Sequence, residues 1–146
     1  MQSSTSPPVV DYVDALAPAA AGTDDTLSGN EVDMIDAFGA DFILFTGTIT
    51  AGAVTTFKLQ QSDDDSTYAD VTNATVSIAV ADDDAMAVIR IMRPKFTMRY
   101  LRCQVVRATA NAVINMGAAV VYQNSGAVTI GSQGDTTLVA AGVVNV

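Results

Sequence analysis

Hydrophobic and polar residues alternate with a period of two from Asp41 onward, which is typical of half-buried β-strands. The alternation is clearest in residues 74–80, where apolar side chains occupy every second position: Ala74, Val76, Ile78 and Val80. Similar runs cover 41–50, 54–61, 86–92, 98–107 and 114–122. This spacing predicts six to eight strands.

The same alternation predicts the apolar face of each strand. The predicted faces are Ile43, Phe45 and Ile49; Phe57 and Leu59; Ala87, Ile89 and Ile91; Leu101, Cys103 and Val105; and Ile114, Met116, Ala118, Val120 and Tyr122. We expect Phe45 and Phe57 to lie in the core and Cys103 to pack as a small apolar residue.

Turn-rich segments separate the runs at intervals of roughly ten residues: 51–52, 62–67, 81–84, 93–95 and 109–112. Short strands at this spacing are typical of an antiparallel β-sandwich or jelly roll. The chain has 146 residues, which suits a single domain. The sequence therefore predicts an all-β, jelly-roll-like single domain.

Both ends of the chain lack this periodicity, so we predict an extended N-terminal arm at 1–37, a sandwich core at 38–123 and an extended C-terminal tail at 124–146. Within the arm, residues 31–38 predict one short helical turn capped by Ser28 or Asn30. An apolar tail is sticky when free, so we expect both ends to dock on a partner. The candidate interface residues at the two ends are Pro7, Pro8, Tyr12, Leu16, Leu27, Leu138, Val139, Val143 and Val144.

Composition narrows the function. With 0 His and 1 Cys, the chain cannot form a Ser-His-Asp or Cys-His nucleophile system, nor a zinc site that needs several His and Cys ligands. The net charge of -9 disfavours nucleic acid as a partner. No segment is apolar for long enough to span a membrane, and no signal peptide is evident. We therefore expect a protein that is not an enzyme, with no cofactor and no membrane partner, made in a reducing cytoplasm.

Two runs of aspartate, Asp63 to Asp65 with Asp70 and Asp82 to Asp84, offer carboxylate oxygens of the kind that calcium prefers. Neither run has the spaced ligands, central Gly and terminal Glu of an EF-hand loop. Nothing in the sequence places two carboxylates across a cleft as a glycosidase requires. We interpret both runs as solvated turns and expect no metal.

Basic residues concentrate on two successive predicted strands and their connection, at Arg90, Arg93, Lys95, Arg99, Arg102 and Arg107. Such a strip can dock on an acidic partner or on the acidic arm of a neighbouring copy. The alternative is exposed charge balanced by the aspartate loops. Both interpretations stay open, and all of these residues except Arg107 join the candidate interface.

Two stretches resemble small phage structural proteins. Residues 57–74, PheLysLeuGlnGlnSerAspAspAspSerThrTyrAlaAspValThrAsnAla, are similar to a strand that ends in a Q-S-D-D-G-S-T-aromatic turn, with Asp65 in place of the Gly. Residues 99–106, ArgTyrLeuArgCysGlnValVal, are similar to a later strand that carries R-Y-[VL]-R. Over residues 41–122 the chain resembles a tailed-bacteriophage capsid decoration, or cement, protein.

The resemblance implies a jelly-roll-like protein, commonly a homotrimer, that sits on the outer surface of the capsid. There it reinforces contacts between subunits of the major capsid protein. Two alternatives remain at this point. One is a carbohydrate- or receptor-binding sandwich that uses Tyr68 with Asp63 to Asp65, and the other is a low-copy tail or head-completion protein.

Overall fold

The alternating segments form strands in the computed structural model, which describes residues 9–123. The strands are β1 (Val9–Leu16), β2 (Ala19–Gly22), β3 (Asp25–Ser28), β4 (Val32–Asp33), β5 (Ala37–Ile49), β6 (Val54–Ser62), β7 (Ala69–Ile78), β8 (Met86–Met92), β9 (Tyr100–Thr109) and β10 (Ala112–Gln123). A single 3-10 helix, Val80–Asp82, connects β7 to β8, and the described residues contain no α-helix. The six strands predicted from the alternation are confirmed as β5 to β10.

The strands form two antiparallel sheets. In sheet A, β1 and β2 both pair with β10, which is followed by β5 and then β8; in sheet B, β3 and β4 both pair with β9, which is followed by β6 and then β7. If β1 with β2, and β3 with β4, are each taken as one broken strand, every sheet has four strand positions. With the strands grouped in this way, every connection except the β6–β7 hairpin passes from one sheet to the other. This is the connectivity of a jelly roll, so the predicted sandwich is confirmed.

The first strands lie within the range predicted as an arm. From Val9 to Asp33 the chain runs along the edge of sheet A and returns along the edge of sheet B. It buries apolar side chains in the common core, namely Val13, Ala15, Leu16 and Val32. This segment therefore closes one side of the sandwich.

The predicted helical turn at 31–38 is wrong. Val32 and Asp33 pair with β9, and the backbone N–H of Met34 donates to the carbonyl of Arg99 at 2.8 Å. Val32 and Met34 are fully buried at a spacing of two residues. Pairing with the sheet and burial of these side chains outweigh the weak local preference for a capped turn.

The core lies between the two sheets, and its largest buried side chains are Phe42, Phe57, Phe96, Met34, Leu44, Leu59 and Leu101. The predicted inward faces of β6 and β9 are confirmed. Cys103 is also buried as predicted, and its burial raises the pKa of the thiol to about 12. The prediction for Val80 is wrong, because β7 ends at Ile78 and Val80 is exposed in the 3-10 helix.

The predicted faces of β5 and β10 are inverted over much of their length. Phe42 and Leu44 are buried, whereas Phe45 is exposed; on β10, Ala119 and Val121 are buried. The pairing of the two strands shifts between Ile114 and Met116, where Asn115 is an extra residue on β10. Because a one-residue slip moves every later side chain to the opposite face, this bulge turns Met116, Ala118, Val120 and Tyr122 away from the core.

Candidate interaction surface

The residues turned outward by the bulge belong to one continuous surface, the outer face of sheet A. Paired residues of neighbouring strands stand side by side on a sheet, so the register orders this surface in rows. The rows are Met116, Phe45 and Met86; Asp14, Ala118, Ile43 and Val88; Tyr12, Val120, Asp41 and Arg90; and Val10, Tyr122, Gly39 and Met92. The ring of Phe38 stacks on that of Tyr122, with their centroids 5.9 Å apart.

This face is apolar although it is exposed. Ten large hydrophobic side chains of the described residues are exposed, and seven of them lie on this face: Tyr12, Phe38, Phe45, Met86, Val88, Met92 and Met116. Sheet A therefore has an apolar inner face and an apolar outer face. Contiguous exposed apolar patches of this kind mark interaction sites on soluble proteins.

One polar network lies within the apolar face. Arg90 donates two hydrogen bonds to the carboxylate of Asp41, at 2.7 and 2.8 Å, and the hydroxyl of Tyr122 donates a third at 2.6 Å. These bonds, above all those from Arg90, lower the pKa of Asp41. The bond to Asp41 in turn raises the pKa of Tyr122. Arg90 and Asp41 neutralise each other, while 65% of the Arg90 side chain stays exposed to solvent.

The outer face of sheet B is polar by contrast. Asp70 accepts hydrogen bonds from Lys58 at 2.8 Å and from Gln60 at 2.7 Å. Arg102 donates to the side-chain carbonyl of Gln60 at 2.9 and 3.0 Å, and its guanidinium lies 3.9 Å from the centroid of the Tyr68 ring. These polar groups thus form a network of hydrogen bonds with one another.

The two aspartate runs form ordered turns. The Asp64 carboxylate accepts hydrogen bonds from the backbone N–H groups of Ser66 and Thr67 and from the Ser62 hydroxyl, and these bonds lower its pKa. In the second run, Asp83 accepts from the backbone N–H of Ile49, and Asp82 accepts from that of Ala79 at 2.7 Å. Within residues 9–123, no group of three or more His, Cys, Asp and Glu side chains is placed to hold a metal ion.

The predicted basic strip is divided by the fold. Arg90 lies on the outer face of sheet A and Arg102 on that of sheet B. Arg93 instead donates to the backbone carbonyls of Met34 and Ala37, at 3.0 and 3.1 Å, and lies 4.4 Å from the centroid of the Phe96 ring. Lys95 is exposed near the end of β8. These side chains therefore do not form one docking strip.

Charge balance is observed, but the acidic partners are not those expected. Arg99 pairs with Asp33, Arg107 with Asp25 and Arg90 with Asp41, and these carboxylates lie on strands and not in the aspartate loops. Arg90 and Arg107 thus each join two strands, and Arg99, one residue before β9, joins the start of β9 to β4.

The remaining predicted interface residues lie in three different places. Tyr12 is on the outer face of sheet A. Leu16 is buried and Leu27 packs against the core, so neither is exposed for docking. The other predicted residues lie outside the described residues: Pro7, Pro8, Leu138, Val139, Val143 and Val144.

Sequence reasoning did not include Phe38, Met86, Val88 or Met92 among the candidate interface residues. A signal for them is present in the sequence, because β5, β8 and β10 carry apolar side chains at both odd and even positions. Strands of that type are covered on both faces in folded proteins. One face of sheet A packs on sheet B, and the second face stays exposed.

No helix among residues 9–123 has the length and apolar character required to cross a membrane.

No protein-family model matches the chain, and neither does any curated protein. Solved structures do match in fold. The PBSX exported protein XepA has a TM-score of 0.57 at 14% identity over 84% of this chain and 40% of that chain. Infectious bursal disease virus, Gx strain, gives a TM-score of 0.58 at 14% identity over 84% of this chain and 35% of that chain. The T13 particle of the same virus gives a TM-score of 0.53 at 14% identity, over 80% of this chain and 31% of that chain.

The chain thus spans two fifths or less of the length of these chains. At 14% identity, the likeness shows a shared fold.

Proposed function

We propose that this chain is a structural virion protein that binds the outer surface of a phage capsid and reinforces contacts between major coat subunits. The observation that carries the proposal is the apolar outer face of sheet A, which a soluble jelly roll does not need for its own folding. A surface of this kind serves a protein that is held in an assembly.

The composition of this face agrees with that role. Aromatic residues, Met and Arg are enriched at protein interfaces, whereas Lys, Glu and Ser are depleted. The face presents Met86, Met92 and Met116 next to aromatic side chains, and Arg90 is the one basic group in its rows. We assign this face to the coat and the polar outer face of sheet B to the solvent.

The size of the face favours a coat shell over a single soluble partner. Four strands spaced by about 4.8 Å, each some eight residues long at about 3.3 Å per residue, cover roughly 500 Å². A stable isolated pair of proteins buries about 800 Å² on each partner. A homotrimer, the oligomer that the resemblance implies, presents this area three times to a symmetric shell and so multiplies a modest contact.

The solved structures of similar fold support a viral role. The bursal disease virus structures describe virus particles, and XepA is a protein exported by PBSX. Together with the resemblance of residues 57–74 and 99–106 to phage decoration proteins, they favour a virion component located on the capsid.

The geometry disfavours the carbohydrate-binding alternative. A sugar-binding sandwich presents a flat aromatic ring to the ligand. The guanidinium of Arg102 covers one side of the Tyr68 ring, and the Tyr68 hydroxyl donates to Asp65. The ring is therefore already engaged within the protein.

The copy number of the chain in purified virions tests the proposal. Quantitative mass spectrometry, normalised to the major coat protein, should give a simple ratio that amounts to hundreds of copies per particle. A few to a dozen copies would instead indicate the tail or head-completion protein. Absence from the particles would overturn a virion role.

A further inference from the structure

Three of the four sheet edges are protected against pairing with another chain. Strands at sheet edges present unpaired backbone N–H and C=O groups, and proteins protect them with bulges, breaks and charged side chains. β1 shifts register between Asp14 and Leu16, and Pro18 separates it from β2. β3 and β4 are separate short strands, and β7 shifts register near Asn73, which has a positive φ of 63°.

The fourth edge, β8, has none of these features. Its pairing with β5 runs without a shift from Met86 to Met92, and it contains neither Pro nor Gly. Its one charged residue, Arg90, is already paired with Asp41. Two grooves of about 150 and 200 Å³ separate β8 from β7, so β7 leaves this edge uncovered. Among the edges of residues 9–123, β8 is therefore the regular and unprotected one.

The pairing with β5 determines which backbone groups of β8 face the open edge. The N–H of Thr46 donates to the carbonyl of Ala85 at 2.9 Å, and the N–H of Arg93 donates to that of Phe38 at 2.8 Å. Hydrogen-bonded and non-hydrogen-bonded pairs alternate along an antiparallel ladder. The odd-numbered residues of β8 thus bond to β5. The even-numbered residues direct their N–H and C=O groups to the open edge: Met86, Val88, Arg90 and Met92.

Most of these outward groups are available for pairing. Among residues 9–123, the carbonyl of Met92 accepts from the N–H of Lys95 at 2.8 Å, and no other hydrogen bond is found at the outward groups. The side chains of the four outward residues are exposed as well. The edge therefore fits a partner that supplies an extended strand.

We propose that β8 pairs antiparallel with β8 of a second copy, about a two-fold axis that passes through Ile89. In this register Val88 of one copy lies opposite Arg90 of the other, and Met86 lies opposite Met92. The two A sheets then join into one continuous sheet.

Backbone hydrogen bonding favours this register. Even-numbered residues lie opposite even-numbered residues, as hydrogen-bonded pairs on the open edge require, and all four of them are used. Each Val88–Arg90 pair exchanges two hydrogen bonds, and each Met86–Met92 pair adds the bond from the N–H of Met92. An axis through Val88 would instead place Met92 opposite Asp84, which lies outside β8.

Charge excludes the register centred on Arg90. Two arginines would then lie directly opposite each other, and like charges at such positions are destabilising. In the proposed register Arg90 lies beside Val88 of the second copy and keeps Asp41 of its own chain as counter-ion. The contact therefore buries no unpaired charge.

The charges at the two ends of β8 point to a second copy as the occupant. The chain before β8 is acidic, with Asp82 to Asp84, and the chain after it carries the exposed Lys95. Antiparallel pairing brings the basic end of one copy beside the acidic end of the other, twice by symmetry. Residues 124–146 contain no Lys or Arg and residues 1–8 contain none either, so neither segment matches the acidic end.

The contact is small. A strand of seven residues is about 23 Å long, and two sheets 10 Å apart with their side chains are about 20 Å deep, which gives roughly 450 Å² per copy. A stable pair buries about 800 Å² per partner. We therefore expect a weak dimer that dissociates on dilution.

Pairing through β8 leaves the outer face of sheet A free. The joined sheet presents roughly 1,000 Å² of apolar surface, twice the area of one copy. This consequence rests on the proposed function, whereas the pairing itself does not. The other sheet edges stay free for the contacts of a homotrimer, so that β8 would link one trimer to the next.

Cysteine cross-linking of the full chain tests the axis. Ile89 lies opposite itself in a non-hydrogen-bonded pair, with Cα atoms about 4.5 Å apart, which is within the range of a disulfide. Ile89→Cys should therefore form a disulfide-linked dimer under mild oxidation, visible on a non-reducing gel. The matched control Ile91→Cys lies on the same face of β8, is similarly buried and faces Ala87 of the second copy, so it should stay monomeric. Native Cys103 is 1% exposed and stays unreactive.

Thermal unfolding checks that both cysteine variants are folded. Folded variants that cross-link equally, or that both fail to cross-link, would overturn the proposed register.

Amide hydrogen exchange of the unmodified chain, followed by NMR, tests the occupant without any substitution. The N–H groups of Met86, Val88 and Arg90 should exchange at least tenfold more slowly in concentrated than in dilute protein. The N–H of Ile89, which bonds to β5, is the internal reference and should be protected at every concentration. Protection of the outward groups at every concentration would show that a segment of the same chain covers β8. Rapid exchange at every concentration would show that the edge is unoccupied, and either result would overturn the proposal.

A proline on the open edge tests the role of the backbone. Val88→Pro removes an N–H that faces the open edge and keeps the bonds to β5, and edge strands tolerate Pro at such positions. It should weaken self-association at least tenfold in sedimentation equilibrium. Val88→Ala removes the side chain but keeps the N–H, and should weaken it less than threefold. Equal losses would show that side-chain contacts, not strand pairing, hold the copies together. None of these measurements requires a capsid, so their failure is distinguishable from failure of the proposed function.

Discussion

Arg107 shows how one buried charge holds several strands together. Its side chain is 5% exposed, and its guanidinium donates to both carboxylate oxygens of Asp25, to the carbonyl of Ala20 at 2.6 Å and to that of Ala112 at 2.8 Å. The four acceptors lie on β2, β3 and β10, while Arg107 itself lies on β9. This residue therefore fastens the N-terminal segment where it crosses from sheet A to sheet B.

We predict that Asp25→Asn destabilises the protein by about 2 kcal/mol, because it leaves the buried Arg107 charge without a counter-ion. Urea unfolding followed by circular dichroism measures the loss. Asp70→Asn is the matched control, since it breaks an exposed pair with Lys58 and should cost less than about 1 kcal/mol. Equal effects in the two variants would show that the burial of Arg107 has no energetic importance.

The ion pairs also set the pH dependence of stability. Hydrogen bonds from Arg107, Arg99, Arg90 and Lys58 lower the pKa values of Asp25, Asp33, Asp41 and Asp70, respectively. A carboxylate with a lowered pKa in the folded state stabilises the protein above its unfolded pKa of about 3.9, and this contribution disappears as the pH falls through the folded pKa.

We therefore expect the melting temperature to fall steeply between about pH 4.5 and pH 2. The pKa of Asp11 is raised by burial, so its contribution has the opposite sign and partly offsets the fall. Calorimetry at a series of pH values checks the prediction. The Asp25→Asn variant should show a shallower dependence, and an unchanged dependence would contradict the role assigned to Asp25.

The strands differ in how far the sequence predicts them. β5 to β10 are long and alternate clearly, so their positions and the antiparallel sandwich follow from periodicity. β2, β3 and β4 have four residues or fewer, and they are strands because they pair with the edges of β9 and β10. Such pairing depends on residues distant in sequence, which local periodicity does not report.

The bulge at Asn115 explains why the candidate surface could not be predicted from the sequence. The side-chain amide of Asn115 donates to the backbone carbonyl of Thr46 at 2.9 Å, at the point where the register shifts. β10 is apolar at both odd and even positions, so either face could have been the inner one. The inserted residue Asn115 determines which face of β10 lies inside, and the alternation of apolar and polar residues does not reveal an insertion.

Deletion of Asn115 tests the importance of this register. We expect the deletion variant to unfold or to lose most of its stability, because it drives Met116 and Tyr122 into the core and Ala119 out of it. Asn115→Ser keeps the residue count and should cost about 1 kcal/mol, the value of one hydrogen bond. A deletion variant as stable as Asn115→Ser would show that the register is free to adjust.

The N-terminal strands lead to a prediction about truncation. Removal of residues 1–37 takes away Val13, Ala15, Leu16, Val32 and Met34, all of which are buried in the core. We expect circular dichroism to show that this truncated chain is unfolded. Removal of residues 1–8 should leave the melting temperature unchanged. A cooperative unfolding transition in the chain that lacks residues 1–37 would show that the remaining strands fold without β1 to β4.

The whole molecule is polar on one side and apolar on the other. Polar groups on the outer face of sheet B hydrogen-bond to one another, and a net charge of -9 favours solubility. On the apolar outer face of sheet A, Arg90 and Asp41 neutralise each other, and the exposed Asp14 on the edge strand β1 is the remaining charge. Docking through sheet A therefore buries little uncompensated charge, whereas docking through sheet B would break an existing network.

Lysine substitutions on the two faces separate attachment from folding. Val88→Lys and Met116→Lys lie at exposed positions, so together they should change stability by less than about 1 kcal/mol. Each places an ammonium group where a partner would bury it without a counter-ion, which is costly. We expect binding to particles that lack this protein to fall at least tenfold in co-sedimentation.

The matched control is Thr56→Lys with Thr75→Lys on the outer face of sheet B, which adds the same charge and should bind as the wild type does. If the sheet B variant loses binding and the sheet A variant retains it, the orientation on the shell is the reverse of the one proposed. If both retain it, attachment depends on the chain ends and not on either sheet. The comparison thus distinguishes a protein held by a face from one held by its ends.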